Sequence, residues 1–226
     1  MSSNFDVILI PHSGINYGGY ARSVIFSRIL NVRKSKPISD ILYIGALHNP
    51  TTSPQSDHSY DWVKDELHTY FPSATHYVYF PNSWQQAKKL SLQLLNTIST
   101  NDTNNHHQFL IIGTTDLTHY GRQFNFYFPQ ISNVKLWKYK RERPFIDSIV
   151  QINPPLMKKL YNMDHHLSCG PYSIYTILQL LKQSDQNFRG ELMAYYDSSD
   201  KKYVNNLTKV DPNSFVSYVA IIFSRL

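Results

Sequence analysis

Short apolar runs alternate with amphipathic stretches along most of the chain, and this alternation limits the possible fold more than any other feature. Strands are predicted over residues 5–11, 41–47, 75–80, 109–115, 191–197 and 215–223. Helices are predicted over residues 16–30, 60–70, 83–98, 144–152, 154–161 and 171–182. Continuous apolar strands that alternate with helices are typical of a sheet covered on both faces. We therefore expect an α/β fold, with one domain over residues 1–226 and a central, mostly parallel sheet flanked by helices.

Composition excludes several other classes of protein. Hydrophobic residues make up 42% of the 226 residues, which is enough for a sizeable core and argues against intrinsic disorder. The single cysteine excludes a disulfide framework and a cysteine-based zinc finger. No apolar run reaches the roughly 18 residues that span a bilayer, and the first residues lack a signal-peptide pattern. We expect a cytoplasmic protein with no membrane partner.

The net charge of +6 comes partly from two short basic stretches, Arg33–Lys36 and Lys135–Arg143. The second stretch interleaves aromatic residues with cations, as some nucleic-acid-binding surfaces do. Charge patterning alone is more often a sign of a solvated helix or loop. We therefore place nucleic-acid binding last among the candidate functions.

Polar residues follow three of the predicted strands. His12, His48, and the pair Asp116 and His119 come directly after the first, second and fourth strands. Ligands of open α/β sheets bind beyond the carboxyl ends of the strands, so these side chains would converge in one crevice. A lone histidine in such a position is more often structural than a ligand, but three in the same topological position favour a site.

Cys169 is a fifth candidate, because it comes just before a predicted helix. A thiol at a helix N-terminus has a lowered pKa and is a better ligand or nucleophile. The alternative is a small buried apolar residue. The neighbouring His165 and His166 would either bind metal or cap the preceding helix.

The pattern as a whole resembles the Memo family, whose fold is similar to that of class III extradiol ring-cleaving dioxygenases. The segments that carry the resemblance occur in family order: Pro11-His12-Ser13-Gly14 with Tyr17-Gly18-Gly19, Gly45-Ala46-Leu47-His48, Asp57-His58-Ser59-Tyr60-Asp61, Thr114 to Gly121, Ser168-Cys169-Gly170-Pro171, Tyr196-Asp197-Ser198-Ser199 and Ser214 to Ala220. One departure is Val63, which stands where the family pattern has a histidine.

The resemblance implies a metal site and a set of roles for these residues. His12, His48 and Cys169 match the metal ligands, and Asp116 and His119 match a polar pair that lines the same pocket. Asp57, His58 and Asp61 match an acidic element at its border. The family has been linked to copper and iron binding and to redox activity, and its physiological reaction is not settled.

The chemistry of these donors leaves three functions open. Two imidazoles and one anion resemble the facial site of non-haem iron enzymes, but a thiolate in place of the carboxylate favours copper or zinc over iron. The first function is a metal-dependent oxidoreductase. The second is a scaffold or signalling protein that reuses an enzyme fold without turnover, and the third is zinc-assisted hydrolysis with His119 as base. The identity of a small-molecule substrate or peptide ligand, and the oligomeric state, stay open.

Overall fold

Strands and helices alternate along the chain. The computed structural model describes residues 5–33, 36–47, 59–101, 107–184, 187–204 and 214–226. The strands are β1 (Phe5–Ile10), β2 (Asp40–Ile44), β3 (Thr75–Tyr79), β4 (Phe109–Thr114), β5 (His119–Tyr120), β6 (Phe188–Asp197) and β7 (Phe215–Arg225). The α-helices are α1 (Ile15–Val32), α2 (Asp61–Tyr70), α3 (Trp84–Asn101), α4 (Val134–Val150), α5 (Pro154–Met163) and α6 (Pro171–Gln183). Within these ranges, no helix combines the length and the apolar character needed to cross a membrane.

The seven strands form a mixed sheet. Its order is β3-β2-β4-β1-β7-β5, with β6 paired to β7. The first four strands are parallel, as predicted. Strand β7 pairs antiparallel with β1, β5 and β6, which makes the sheet mixed. The carboxyl ends of β1, β2 and β4 therefore lie at one edge, and the first residues of β7 reach the same edge.

Each face of the sheet is covered by its own apolar core. In β1, Val7 and Leu9 pack into the core formed with helices α3 to α6, whereas Ile8 and Ile10 pack into the core formed with α1 and α2. Alternate side chains of a strand point to opposite faces, so a strand buried on both faces has a continuous apolar sequence. Val63 belongs to the second core and is fully buried, which gives a packing role to the residue that departs from the family pattern.

Helix α4 begins at Val134 rather than at Pro144, where the sequence predicted a helix start. The Asn133 side chain accepts a hydrogen bond from the Leu136 N–H at 2.9 Å and caps the helix, and Pro144 lies inside it. The buried face includes Lys138 and Glu142 as well as apolar residues. The predicted helix start was wrong because charged residues at those positions are typical of a solvent-exposed segment.

Three of the five cations in the Lys135–Arg143 stretch, Lys138, Arg141 and Arg143, pair with carboxylates of the chain itself. The Lys138 ammonium lies 2.5 Å from an Asp197 oxygen and is 6% exposed. Burial of Asp197 opposes its ionisation, but Lys138 and hydrogen bonds from Ser199 outweigh burial and hold its pKa below the usual value. Arg141 binds Asp164 in the same way. These pairings reduce the positive charge that this stretch offers to a nucleic acid.

Candidate functional site

The loops that follow β1 and β4 lie side by side, because the two strands are parallel neighbours. The Thr115 N–H donates to the Ile10 carbonyl at 3.0 Å, so the loops stay in contact beyond the strands. His12 is fully buried in the first loop. Its backbone N–H donates to Asp116 Oδ1 at 3.2 Å. His12 and Asp116 therefore meet at the carboxyl edge of the sheet.

The Asp116 carboxylate holds the two loops together. Its Oδ2 atom accepts a hydrogen bond from the Ser13 hydroxyl and lies 3.7 Å from His12 Nε2. Asp116 is only 3% exposed. A buried carboxylate that accepts bonds from a backbone N–H and a hydroxyl is held in one orientation. Asp116 can therefore orient the His12 loop from the neighbouring strand.

Cys169 lies against the same two residues. Its Sγ atom is 3.6 Å from His12 Nε2 and 3.2 Å from the Asp116 backbone nitrogen, which donates to it. The Cys169 N–H in turn donates to the Asp116 carbonyl at 3.1 Å. The segment just before α6 thus brings the only thiol of the chain to the His12 imidazole.

The pKa of the Cys169 thiol is raised, whereas the sequence predicted that it would be lowered by the N-terminus of α6. Burial is the larger cause and the nearby Asp116 carboxylate is the second. The N-terminal N–H of Gly170 donates to hydroxyls of Thr115 and Ser168 instead. The helix N-terminus therefore does little to stabilise a thiolate here, and without a metal the sulfur carries its proton at neutral pH.

His119 begins β5, which pairs with β7. Its ring packs against Phe124, with ring centroids 5.2 Å apart. Its Nδ1 atom lies 3.0 Å from the Leu117 carbonyl. Because a carbonyl only accepts, Nδ1 carries the proton and Nε2 is the basic nitrogen of the neutral ring. The tautomer suits a general base.

Two further polar residues adjoin Asp116; both belong to segments that carry the family resemblance, but neither was predicted as a site residue. Ser13 bonds to Asp116, and the Tyr218 hydroxyl bonds to Ser13. Burial, followed by the Asp116 charge, raises the pKa of Tyr218. Tyr218 belongs to a strongly apolar strand, so its sequence context indicated only packing. The antiparallel pairing of β7 with β1 brings it to the site.

Helix α4 holds the loop that carries His119. The Glu142 carboxylate accepts from the Thr118 N–H at 3.3 Å, and Arg141 donates to the Thr118 hydroxyl at 2.8 Å. Burial raises the pKa of Glu142, although bonds from Thr118 and Tyr195 oppose the shift. The helical spacing of Glu142 with Phe145 and Ile149 is the one signal that could have shown that it points inward.

Three of the predicted site residues, His48, Asp57 and His58, lie outside the described residues. Asp61 is described: it begins α2 and is exposed. Just before residues 48–58, the Ala46 N–H donates to the Thr114 hydroxyl at 3.1 Å.

The separation of the His12 and Cys169 donors matches that of two ligands on one metal ion. In a tetrahedral site with bonds of about 2.3 Å to sulfur and about 2.0–2.1 Å to nitrogen, the two atoms lie about 3.6 Å apart. The distance from Cys169 Sγ to His12 Nε2 is 3.6 Å. Within the part of the chain that the structure describes, no group of three or more His, Cys, Asp or Glu side chains could hold a metal ion. The same 3.6 Å separation is that of a hydrogen bond between the thiol and the imidazole, so the metal site stays a prediction.

Gly170 sets how closely the Cys169 segment approaches the end of β4. A Cβ atom on Gly170 would lie 2.3 Å from the Thr114 carbonyl oxygen, whereas one on Gly14 would meet nothing within 4 Å. We expect Gly170→Ala to lower the free energy of unfolding by about 3 kcal/mol, because backbone atoms must move. Gly14→Ala, at the start of α1, should cost less than about 1 kcal/mol. Urea unfolding measures both, and equal losses would contradict the close approach.

The chain matches a known protein family. A family model described as Memo-like protein matches residues 80–222, well over half of the chain. Asp116, His119 and Cys169 lie within the matched residues, and His12 precedes them. No curated protein matches the chain.

Proposed function

Because this chain belongs to the Memo-like protein family, we propose that it is a metal-binding protein with redox activity, in which His12 and Cys169 hold a copper ion. The observation that carries the proposal is the 3.6 Å separation of the imidazole nitrogen and the sulfur. His48, which lies outside the described residues, is proposed as the third ligand on the resemblance alone. The chain would then provide two imidazoles and one thiolate.

The kind of donor favours copper. Thiolate and imidazole are soft and borderline ligands, which suit copper and zinc better than iron. A bound copper ion would supply one-electron redox chemistry. Iron is the alternative, because the family has been linked to iron binding as well as to copper binding. Bound zinc would favour hydrolysis.

The protein's own groups would orient the ligands and move protons. Asp116 fixes the His12 loop through the His12 N–H and the Ser13 hydroxyl. Groups that orient a ligand in this way are needed for a metal site to keep its geometry. The basic Nε2 atom of His119 is proposed to accept a proton from a substrate or from water near neutral pH.

The metal content of the protein tests the proposal. We expect protein purified under reducing conditions and loaded with an equimolar mixture of copper, iron and zinc salts to retain one copper per chain after desalting. Elemental analysis by mass spectrometry measures this, and a His12→Ala variant is the control for adventitious binding. Retained iron would instead favour an oxygenase, and retained zinc a hydrolase. Retention of no metal by a folded protein would overturn the proposal in favour of a scaffold.

A further inference from the structure

Arg22 is a charged residue with no exposed surface. It lies in α1, the helix that follows the His12 loop, and it is 0% exposed. A buried guanidinium is costly unless its donors are satisfied by bonds and by a counter-charge. The partners of Arg22 must therefore offset the free-energy cost of burying its charge.

Two of these partners flank His12 in the sequence. The Arg22 Nη1 atom donates to the Pro11 carbonyl at 3.0 Å and to the Ser13 carbonyl at 2.6 Å. A planar guanidinium can reach both carbonyls from a single rigid group. Arg22 thus bonds to the residues on either side of His12 and fixes this loop against α1.

The other partner is Glu66 of α2. Its Oε1 atom accepts from Arg22 Nε at 3.0 Å and also from Nη2. The Glu66 side chain is 12% exposed and lines an open groove of about 510 Å³ between α1 and α2. Gly18 makes room for the pair, because a Cβ atom there would lie 2.5 Å from Arg22 Nη1.

We propose that Arg22 and Glu66 are positioning residues, which hold the Pro11–Ser13 loop so that the His12 imidazole faces the Cys169 sulfur. The consequence for metal binding rests on the proposed function, but the positioning of the loop does not. The loop is then fixed from two sides, by Asp116 from the sheet and by Arg22 from the helices.

The chain offers a matched ion pair that should not affect the loop. Arg33 lies at the other end of α1, where its Nε atom is 2.7 Å from Asp6 and its Nη1 atom donates to Gln108 at 2.8 Å. It is also an arginine that joins a carboxylate and a second acceptor. Loss of Arg33 should weaken packing at the amino edge of the sheet, away from His12.

Hydrogen exchange of the metal-free protein tests the positioning. We expect Glu66→Gln and Arg22→Lys to raise the exchange rate of the amides of residues 12–14 at least about tenfold relative to wild type. The reason is that the loop opens more often once Arg22 no longer holds it. Arg33→Gln should leave them unchanged. The His12 amide is the sharpest reporter, since it donates to Asp116. Unchanged exchange in both site variants would overturn the proposal, as would a uniform increase over β1, α1 and the loop, which indicates general destabilisation.

Copper affinity of the same variants tests the link to the metal site. Residues that orient metal ligands typically contribute about 10–100-fold to affinity, and we expect a loss in this range for Glu66→Gln and none for Arg33→Gln. If wild type binds no copper, the proposed function fails and hydrogen exchange still decides the role of Arg22. Unchanged affinity in Glu66→Gln despite faster loop exchange would overturn the part of the proposal that concerns metal binding.

Discussion

Replacing Cys169 by serine is expected to lower the affinity for Cu(I) at least about 100-fold, because copper loses its soft anionic ligand and serine provides a harder, neutral hydroxyl. Asp116→Asn should lower the affinity by no more than about tenfold, since only an orienting group is changed. Comparing the two variants distinguishes the loss of a metal ligand from the loss of a residue that only orients one. Competition with a chromophoric Cu(I) chelator measures both affinities.

Two controls make the Cys169→Ser result decisive. Thermal unfolding of the metal-free variants should show that both remain folded. The Cu(I) complex of wild type should show the ultraviolet thiolate-to-copper absorption, which the serine variant lacks. Equal affinities for wild type and Cys169→Ser would remove the sulfur from the site and leave it without its anionic ligand.

Deletion of residues 215–226 is expected to prevent the protein from folding. These residues include the whole of β7, which pairs with β1, β5 and β6. Eight of its eleven residues are buried. Its removal would expose both apolar cores and leave the main-chain groups of β1 and β6 without their neighbour. Soluble yield and circular dichroism measure the effect, and a stable truncated protein would contradict the role of β7.

A single substitution gives a finer measure of β7. Ile221 is fully buried and lies between Leu9 of β1 and Leu192 of β6. Ile221→Ala should lower the free energy of unfolding by about 4 kcal/mol, through lost burial and the cavity that remains. Ser224→Ala, at the exposed end of the same strand, should change it by less than about 0.5 kcal/mol. A similar loss in the two variants would place the stabilising contacts of the strand elsewhere.

The burial of α4 depends on contacts that the local sequence does not show. Its inward-facing residues include Lys138 and Glu142, whose burial depends on Asp197, Tyr195 and Thr118. None of these partners is near them in the sequence. Without the partners, charged residues in a basic stretch are read as solvent-exposed, and Pro144 is read as a helix start.

The sequence by itself determined the α/β class, the parallel strands β1 to β4 and the inclusion of the C-terminal strand, because these depend on local periodicity and on runs of apolar residues. It also indicated that His12 and Asp116 lie at one edge, since parallel strands share their carboxyl ends. Only the tertiary structure decided the antiparallel pairing of β7, the raised pKa of Cys169 and the burial of Arg22. Each of these depends on contacts between residues that are distant in the sequence, such as His12 and Cys169, which are 157 positions apart. Burial and charge at such contacts follow from how the elements pack, which no local pattern specifies.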